Sequence, residues 1–420
     1  MKIILKKQAN NTTMDVRVYP PDGLIETTVT LPLSKSISNR ALIMNALTAG
    51  SQPLTEVAKC DDTDAMVDAL ASESSEINIG AAGTAMRFLT AYFAAKEGAE
   101  VVLDGSERMR QRPIGVLVDA LRACGADIQY AGEEGFPPLK ISGKRLHGGV
   151  MEMDATVSSQ FISALLMVAP TFDSPLTLTL KGEISSLPYL DMTIEMMRRR
   201  GIDIERANNR IEVKPSHYQP CREGVERDWS AASYWYEVAA LTSGWITLEG
   251  LTENSLQGDS QIAKIFHKLG IDTQFNDGNA ELIPSPEVYS RLDVDLSDTP
   301  DVAQTLAVTC CMLGVPFHFT GVESLKIKET DRLEALKREL AKLSFDVEII
   351  RGAELRWEGE RIPVQSVEPI DTYSDHRMAM AFGPVGIFLP GIMIRNAEVV
   401  SKSYPEYWDH LRQAGLEVNE

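Results

Sequence analysis

The sequence lacks the marks of several protein classes. Its five cysteines, Cys60, Cys124, Cys221, Cys310 and Cys311, are spread over 420 residues, and none stands in a C-x-x-C spacing. Cys310 and Cys311 sit in an apolar stretch, so buried free thiols are expected rather than a disulfide framework. The six histidines fall in no H-E-x-x-H or other metal-ligand spacing, and no metal site is expected. No G-x-x-x-x-G-K-[ST] segment is present, which argues against P-loop phosphoryl transfer. No apolar run approaches the roughly 18 residues of a membrane span. The stretch Met1 to Leu5 is too short for a signal peptide, and Lys6, Lys7 and polar residues follow it; a cytoplasmic protein is expected. Positive charge is also scarce. Lys and Arg number 41 against 60 Asp and Glu, a formal net charge of −19. Such a chain is a poor general partner for nucleic acid or an anionic membrane. Any anionic ligand must therefore be held by a local cluster of bases.

What is present is a repeat. A short polar segment leads into an apolar, Ala-rich run with helical spacing, as in SKSISNRALIMNAL from Ser34, GAAGTAMRFLTAYFA from Gly80 and SSQFISALLMVA from Ser158. It recurs as DWSAASYWYEVAAL from Asp228, DTPDVAQTLAVTCCML from Asp298 and SDHRMAMAFGPVGIFL from Ser374. A second pattern alternates with it, a helix that ends at glycine before a strand, at Gly125, Gly201, Gly270 and Gly415. The stretch LAKLSFDVEII lacks that glycine. Six α/β units, each with two helices and several short strands, account for the whole length. The polar stretch Cys221 to Asp228 and the segment Leu31 to Leu33 are the candidate junctions. They divide the chain into two similar domains, residues 34–228 and residues 1–33 with 229–420.

Four helix starts carry bases where the helix dipole disfavours them. Arg40 stands four residues after Ser36 and is expected to lean back over the helix start. Arg87 has the same relation to Gly83. Lys328 and Arg332 are spaced one turn apart, a like-charge pair that costs about 0.2–0.5 kcal/mol. Arg110 and Arg112 precede Pro113, read as the first residue of a helix from Ile114 to Arg122. Exposed N–H groups at helix starts favour anions. Misplaced bases at several starts therefore point to bound anions, or else to neutralising acids such as Asp331 or Glu107.

The segments LPLSKSISNRAL, GAAGTAMRFL, RMRQRPIGVLVDALRACGA, VSSQFISALLM, SLPYLDMT, DTPDVAQTLAV, KIKETDRLEALKREL, YSDHRMAMAF and SKSYPEYWDHL occur in this order. They resemble the motifs of the 5-enolpyruvylshikimate-3-phosphate (EPSP) synthase family over nearly the whole chain. The resemblance implies an α/β fold of two similar domains. Each would hold three repeated units with parallel helices and mixed four-stranded sheets, an inside-out α/β barrel with the active site in the cleft. It implies enolpyruvyl transfer from phosphoenolpyruvate to shikimate 3-phosphate with release of phosphate, without a metal or organic cofactor, by a monomer. By resemblance, Lys35, Ser36, Arg40, Ser158, Ser159, Gln160, Ser186, Asp301 and Lys328 would meet shikimate 3-phosphate. Lys35, Gly83, Arg112, Gln160, Arg332, Arg377 and Lys402 would hold phosphoenolpyruvate. Asp301 and Glu329 match the proton-transferring carboxylates, and Lys35 would share that work.

Five positions depart from the family pattern: Leu33, Ala81, Phe88, Leu187 and Ser324. Ala81 replaces an asparagine and removes an amide from the phosphoenolpyruvate side. Gly83 and Thr84 are kept, which implies sensitivity to glyphosate. Two other readings remain. A related transferase acts on UDP-N-acetylglucosamine with a loop cysteine as acid, but the segment GSERMRQRP here has none. A binding protein without turnover would not need Lys35, Asp301 and Glu329 together.

Overall fold

The computed structural model describes residues 13–420 except 157, 183, 185, 222, 223 and 365. The Met1 to Leu5 stretch, read above as too short for a signal peptide, lies outside the described residues, as does part of the Cys221 to Asp228 junction. The described residues form twelve α-helices: α1 Lys35–Ala46, α2 Asp61–Ala71, α3 Gly83–Ala95, α4 Gly115–Ala123, α5 Ser159–Val168, α6 Leu187–Arg199, α7 Trp229–Thr242, α8 Ile262–His267, α9 Ala303–Leu313, α10 Arg332–Lys342, α11 His376–Phe382 and α12 Tyr407–Gln413. None is long and apolar enough to cross a membrane.

The six apolar runs read in the sequence are the odd-numbered helices, and their composition decides where they sit. From Ala85 to Ala94 every residue of α3 is buried. A helix apolar on all sides belongs inside a core. The even-numbered helices are one-sided instead; α10 buries Leu333, Leu336 and Leu340 on one stripe. Helices α1, α3 and α5 pack on one another, as do α7, α9 and α11. Two hydrophobic cores result. One runs from Ile37 to Tyr218, and the other joins Val16 to Leu31 with Trp229 to Val418.

Three stretches repeat the order strand, helix, strand, helix, hairpin. Residues 149–213 show the pattern: Gly149–Asp154 pairs parallel with Leu176–Lys181 across α5, and a hairpin of Ile204–Ala207 and Arg210–Val213 follows α6 and pairs antiparallel. Residues 76–142 and 292–357 build the same sheet. A parallel pair needs a crossover, and the odd helix supplies it. In a fourth sheet the first strand, Glu26–Thr30, pairs parallel with Trp245–Glu249. Residues 34–228 are thus inserted within one crossover. The two connecting strands pass each other at the Leu33–Arg227 bridge, where Ser34 N–H donates to Glu226 and Asp228 N–H to Pro32. The α11–α12 unit is completed from far away: Val16–Tyr19 lies between Ile392–Ile394 and Glu417–Asn419 in a three-stranded sheet. Helices α1 and α2 have no sheet of their own among the described residues.

Helix ends follow the expected chemistry with corrections. Gly125, Gly201 and Gly415 follow a helix end with positive φ, and Ser344 takes that conformation where glycine is missing, at φ 78°; Gly270 also has positive φ but lies inside the strand Leu269–Asn276, at a register shift, rather than at the end of α8. Pro113 is not the first helical residue, because α4 begins at Gly115 after Ile114. Lys328 and Arg332 do not share a helix. Asp331 caps α10 by accepting from Glu334 N–H, so the helix starts at Arg332 and Lys328 stays extended before it. Of the cysteines, four are buried and Cys221 is half-buried, all of them free.

One core residue breaks the apolar rule. Glu237 on α7 is fully buried and neither carboxyl oxygen has a partner among the described residues. Burial holds its pKa well above the usual carboxylate range. An acid whose pKa is raised by folding loses stability as pH rises above its unfolded pKa of about 4.3. Glu237→Met is therefore expected to stabilise the chain by about 1–3 kcal/mol near pH 8, with a smaller gain toward pH 4. Thermal melts of both proteins across that range check the sign and the slope.

Candidate active site

The starts of all six odd-numbered helices open on one cavity between the two halves. Lys35 of α1, Gly83 of α3, Ser159 of α5, Asp228 before α7, Asp301 before α9 and Arg377 of α11 line it. For α3, α5, α7 and α9 the crossover topology contributes, because each links two parallel strands and starts at the same end of its sheet. Each helix start carries about half a positive charge. Seven cationic side chains and four carboxylates line the same space, in a chain of net charge −19. The local excess of bases that the composition required for an anionic ligand is there.

The first half supplies a polar floor. Ser34 caps α1, and Lys35 Nζ lies 3.0 Å from Asp62 Oδ2. Burial opposes the Lys35 charge, but Asp62 together with Cys60 and Glu329 outweighs it and holds the ammonium above the usual lysine range. Arg40 leans back as expected and donates to Ser36 O at 2.9 Å, to Thr193 Oγ1 at 2.7 Å and to Tyr189 O at 3.2 Å. Its guanidinium also lies 5.3 Å from the centre of the Phe88 ring. Burial pushes its pKa down to about 10. Ser158 caps α5 and, with Ser159, Gln160 and Ser186, lines the cavity. Gln160 Nε2 donates to Thr84 Oγ1 at 3.4 Å. Arg87 folds back onto Gly83 O at 3.0 Å, as the spacing implied. Gly83 leaves room for Arg112: a Cβ there would stand 2.5 Å from Arg112 Nη1.

The second half supplies a charge network. Arg332 is buried and reaches three acids, with Nε 2.7 Å from Asp375 Oδ2, Nη1 3.0 Å from Asp301 Oδ1 and Nη2 3.1 Å from Glu329 Oε2. Arg377 Nη2 lies 2.9 Å from Asp301 Oδ2, and Lys328 Nζ 3.7 Å from Asp301 Oδ1. Burial pushes the Asp301 pKa up, but Arg377, Lys328 and Arg332 outweigh it and hold the carboxylate well below its usual range. Glu329 is held down in the same way by Lys402, Arg332 and Arg112 against burial. Burial pulls the Lys328 ammonium below its usual value.

Fourteen of the fifteen residues singled out from the sequence line this cavity. Lys402 stands behind it, with Nζ 3.0 Å from Glu329 Oε1 and 2.9 Å from Ala81 O, and lines a neighbouring cleft beside Asp61 and Asp64. Ala81 faces that cleft too, and its contact with Lys402 is through the main chain. Arg110 does not face the cavity; it is exposed and pairs with Asp104, so an acid neutralises it.

The sequence model of the family described as EPSP synthase (3-phosphoshikimate 1-carboxyvinyltransferase) matches residues 21–72 and 71–411. The chain belongs to the EPSP synthase family. A 3-phosphoshikimate 1-carboxyvinyltransferase of Bacteroides fragilis is 49% identical over 396 residues, covering 94% of this chain and 96% of that protein. One from Vibrio campbellii is 36% identical and covers 95% of this chain and 99% of its own. A solved EPSP synthase of Acinetobacter baumannii has the same fold, with TM-score 0.75 at 22% identity over 97% of this chain and 100% of that one. The two-domain α/β architecture with mixed four-stranded sheets is that of the family.

Four site residues of this EPSP synthase family member escaped the sequence reading. Asp62 sits between Lys35 and Lys402, 3.0 and 3.8 Å away. Asp375 caps α11 and anchors Arg332. Tyr189 lines the cavity beside Arg40. Asp259 lies buried under Ser230, its pKa pushed up to about 7 by burial and by Asp301. The one available signal was an acid at or before a helix start, which also reads as ordinary capping.

Proposed function

We propose that this chain transfers the enolpyruvyl group of phosphoenolpyruvate to the 5-hydroxyl of shikimate 3-phosphate, releasing phosphate, as a step in aromatic amino acid biosynthesis. The observation that carries this reading is the convergence of six helix starts and seven cations on one cavity whose four carboxylates include Asp301 and Glu329, in a member of this family. Residues 34–228 form the shikimate 3-phosphate domain. Its phosphate and ring are met by Ser36, Arg40, Ser158, Ser159, Gln160 and Ser186, with Lys328 and Asp301 from the opposite side. Residues 1–33 and 229–420 form the second domain, with Arg332, Arg377 and Lys402 on phosphoenolpyruvate; Lys35, Gly83, Gln160 and Arg112 complete that site. The arginine forks suit its carboxylate and phosphate, which take paired N–H donors. The protein works in the cytoplasm as a monomer and needs no metal or organic cofactor.

Asp301 is ionised in the free site, as a base must be. It takes the proton of the 5-hydroxyl as that oxygen bonds to C2 of phosphoenolpyruvate, while C3 gains a proton from Glu329. Lys35 steadies the developing charge. The tetrahedral intermediate then loses a C3 proton, C2=C3 re-forms, and the C2–O bond to phosphate breaks. Glu329 must be protonated to act first as acid, yet Lys402, Arg332 and Arg112 keep it ionised in the free site. Bound phosphoenolpyruvate offsets those charges and raises its pKa. The pKa read from kcat is therefore expected to lie above that read from kcat/KM for phosphoenolpyruvate; equal values would count against Glu329 as the acid. A phosphate-release assay with both substrates tests the function, and no release beside an active control enzyme would overturn it.

Gly83 sets a further test. Its Cβ would press on the Arg112 guanidinium, 2.5 Å away. Gly83→Ala is expected to raise KM for phosphoenolpyruvate several-fold, leave KM for shikimate 3-phosphate unchanged, and weaken inhibition by glyphosate, which the parent protein should show. Initial rates at varied substrate and inhibitor check each part; an inhibition curve of the parent flat to millimolar glyphosate would refute the last.

A further inference from the structure

We propose that Arg108 is a positioning residue for this reaction, a clamp that reaches from the first half across the cleft to the backbone carrying Glu329 and Lys328. Its Nε donates to Glu329 O and its Nη2 to Lys328 O, both at 3.2 Å, and its Nη1 donates to Gln111 Oε1 at 3.4 Å. The inference rests on the function proposed above, because it concerns how the acid and its neighbouring lysine are held.

Three observations support it. First, Lys328 to Thr330 lie between a 3-10 turn that ends at Ile327 and α10, which starts at Arg332. Among the described residues no main-chain N–H donates to the carbonyl of Lys328 or of Glu329. The segment that bears both groups therefore lacks the ladder that fixes side chains on a helix or strand, and Arg108 supplies the missing donors. Second, both acceptors are carbonyls of consecutive residues, and the guanidinium meets them with two N–H groups fixed in one plane, a geometry that a freely rotating ammonium does not pre-set. Third, Arg108 and Arg112 flank the short turn Met109–Gln111, so one segment meets Glu329 twice. Arg108 holds its carbonyl, while Arg112 Nη1 lies 3.9 Å from its carboxylate. The clamp places Glu329 among Lys402, Arg332 and Arg112, and directs Lys328 toward Asp301. Arg108 itself lies at the cleft edge and is exposed, outside the lining of the cavity.

The test compares wild type, Arg108→Met and Arg108→Lys in the phosphate-release assay. A misplaced acid can lower a rate by about 100-fold without touching the binding groups. Arg108→Met is expected to lose activity in kcat on that scale, with a much smaller rise in KM for shikimate 3-phosphate, because the same clamp holds Lys328. Its melting temperature should stay near wild type, because the side chain is exposed. Added guanidinium should restore part of the rate. Arg108→Lys should recover less than half of the loss, since lysine lacks the rigid fork that fixes both carbonyls. Wild-type kcat in Arg108→Met overturns the clamp, and so does a loss that guanidinium does not relieve. Hydrogen exchange over residues 327–331 reads the clamp without turnover and should quicken in Arg108→Met. An inactive wild type would instead sink the proposed function, leaving the exchange result to decide on the clamp alone.

Discussion

Glu329→Gln should lower kcat for enolpyruvyl transfer by about 10²–10⁴-fold, the usual contribution of a positioned proton donor. The amide keeps the size of the side chain and its ability to accept from Arg332, 3.1 Å away, but it cannot deliver a proton to C3. The effect on binding should run the other way. Glu329 competes with any bound anion for Lys402, Arg332 and Arg112, which lie 3.0, 3.1 and 3.9 Å from its oxygens. Removing its charge frees those cations, so KM for phosphoenolpyruvate should stay level or fall. Steady-state kinetics at saturating shikimate 3-phosphate separate the two numbers. A variant with raised KM and near-normal kcat would mean that Glu329 organises the phosphoenolpyruvate site rather than donating the proton.

The six odd-numbered helices were readable because each joins a polar start to an apolar run, and both features are local. Their convergence on one cavity was not local, and it emerges only in the folded chain. What escaped depended on distant partners. Val16–Tyr19 completes a sheet with strands that begin at Ile392 and Glu417, and nothing near residue 16 announces it. Asp62 reads as a favourable first-turn acid of α2, and only the fold brings Lys35 and Lys402 to it. Spacing misled at Lys328 and Arg332, where four residues suggested one helical turn. The Asp331 side chain takes the Glu334 N–H instead and starts the helix after it. Arg110 and Arg112 looked equivalent in the sequence. Asp104 holds Arg110 at the surface, while Arg112 turns inward over Gly83, so one base is neutralised and the other remains for a ligand.

Arg332→Met should be the most damaging single substitution in the charge network, for stability as well as turnover. Arg332 is 1% exposed and donates to Asp375, Asp301 and Glu329 from three different nitrogens. Its charge is held above the usual arginine range because those three acids outweigh burial. Removing one partner of a buried pair leaves an uncompensated charge and costs about 3–5 kcal/mol. Asp375 suffers most, since it is wholly buried and also caps α11. A stranded acid that takes up a proton no longer needs a cation, so the destabilisation should be full at neutral pH and shrink at acid pH. Chemical denaturation at pH 7 and pH 5 should show the gap to wild type narrowing at the lower pH. Arg332→Lys should not rescue either property, because one ammonium cannot face three acids set around a planar fork. A stability gap independent of pH would place the loss in packing rather than in the stranded carboxylates.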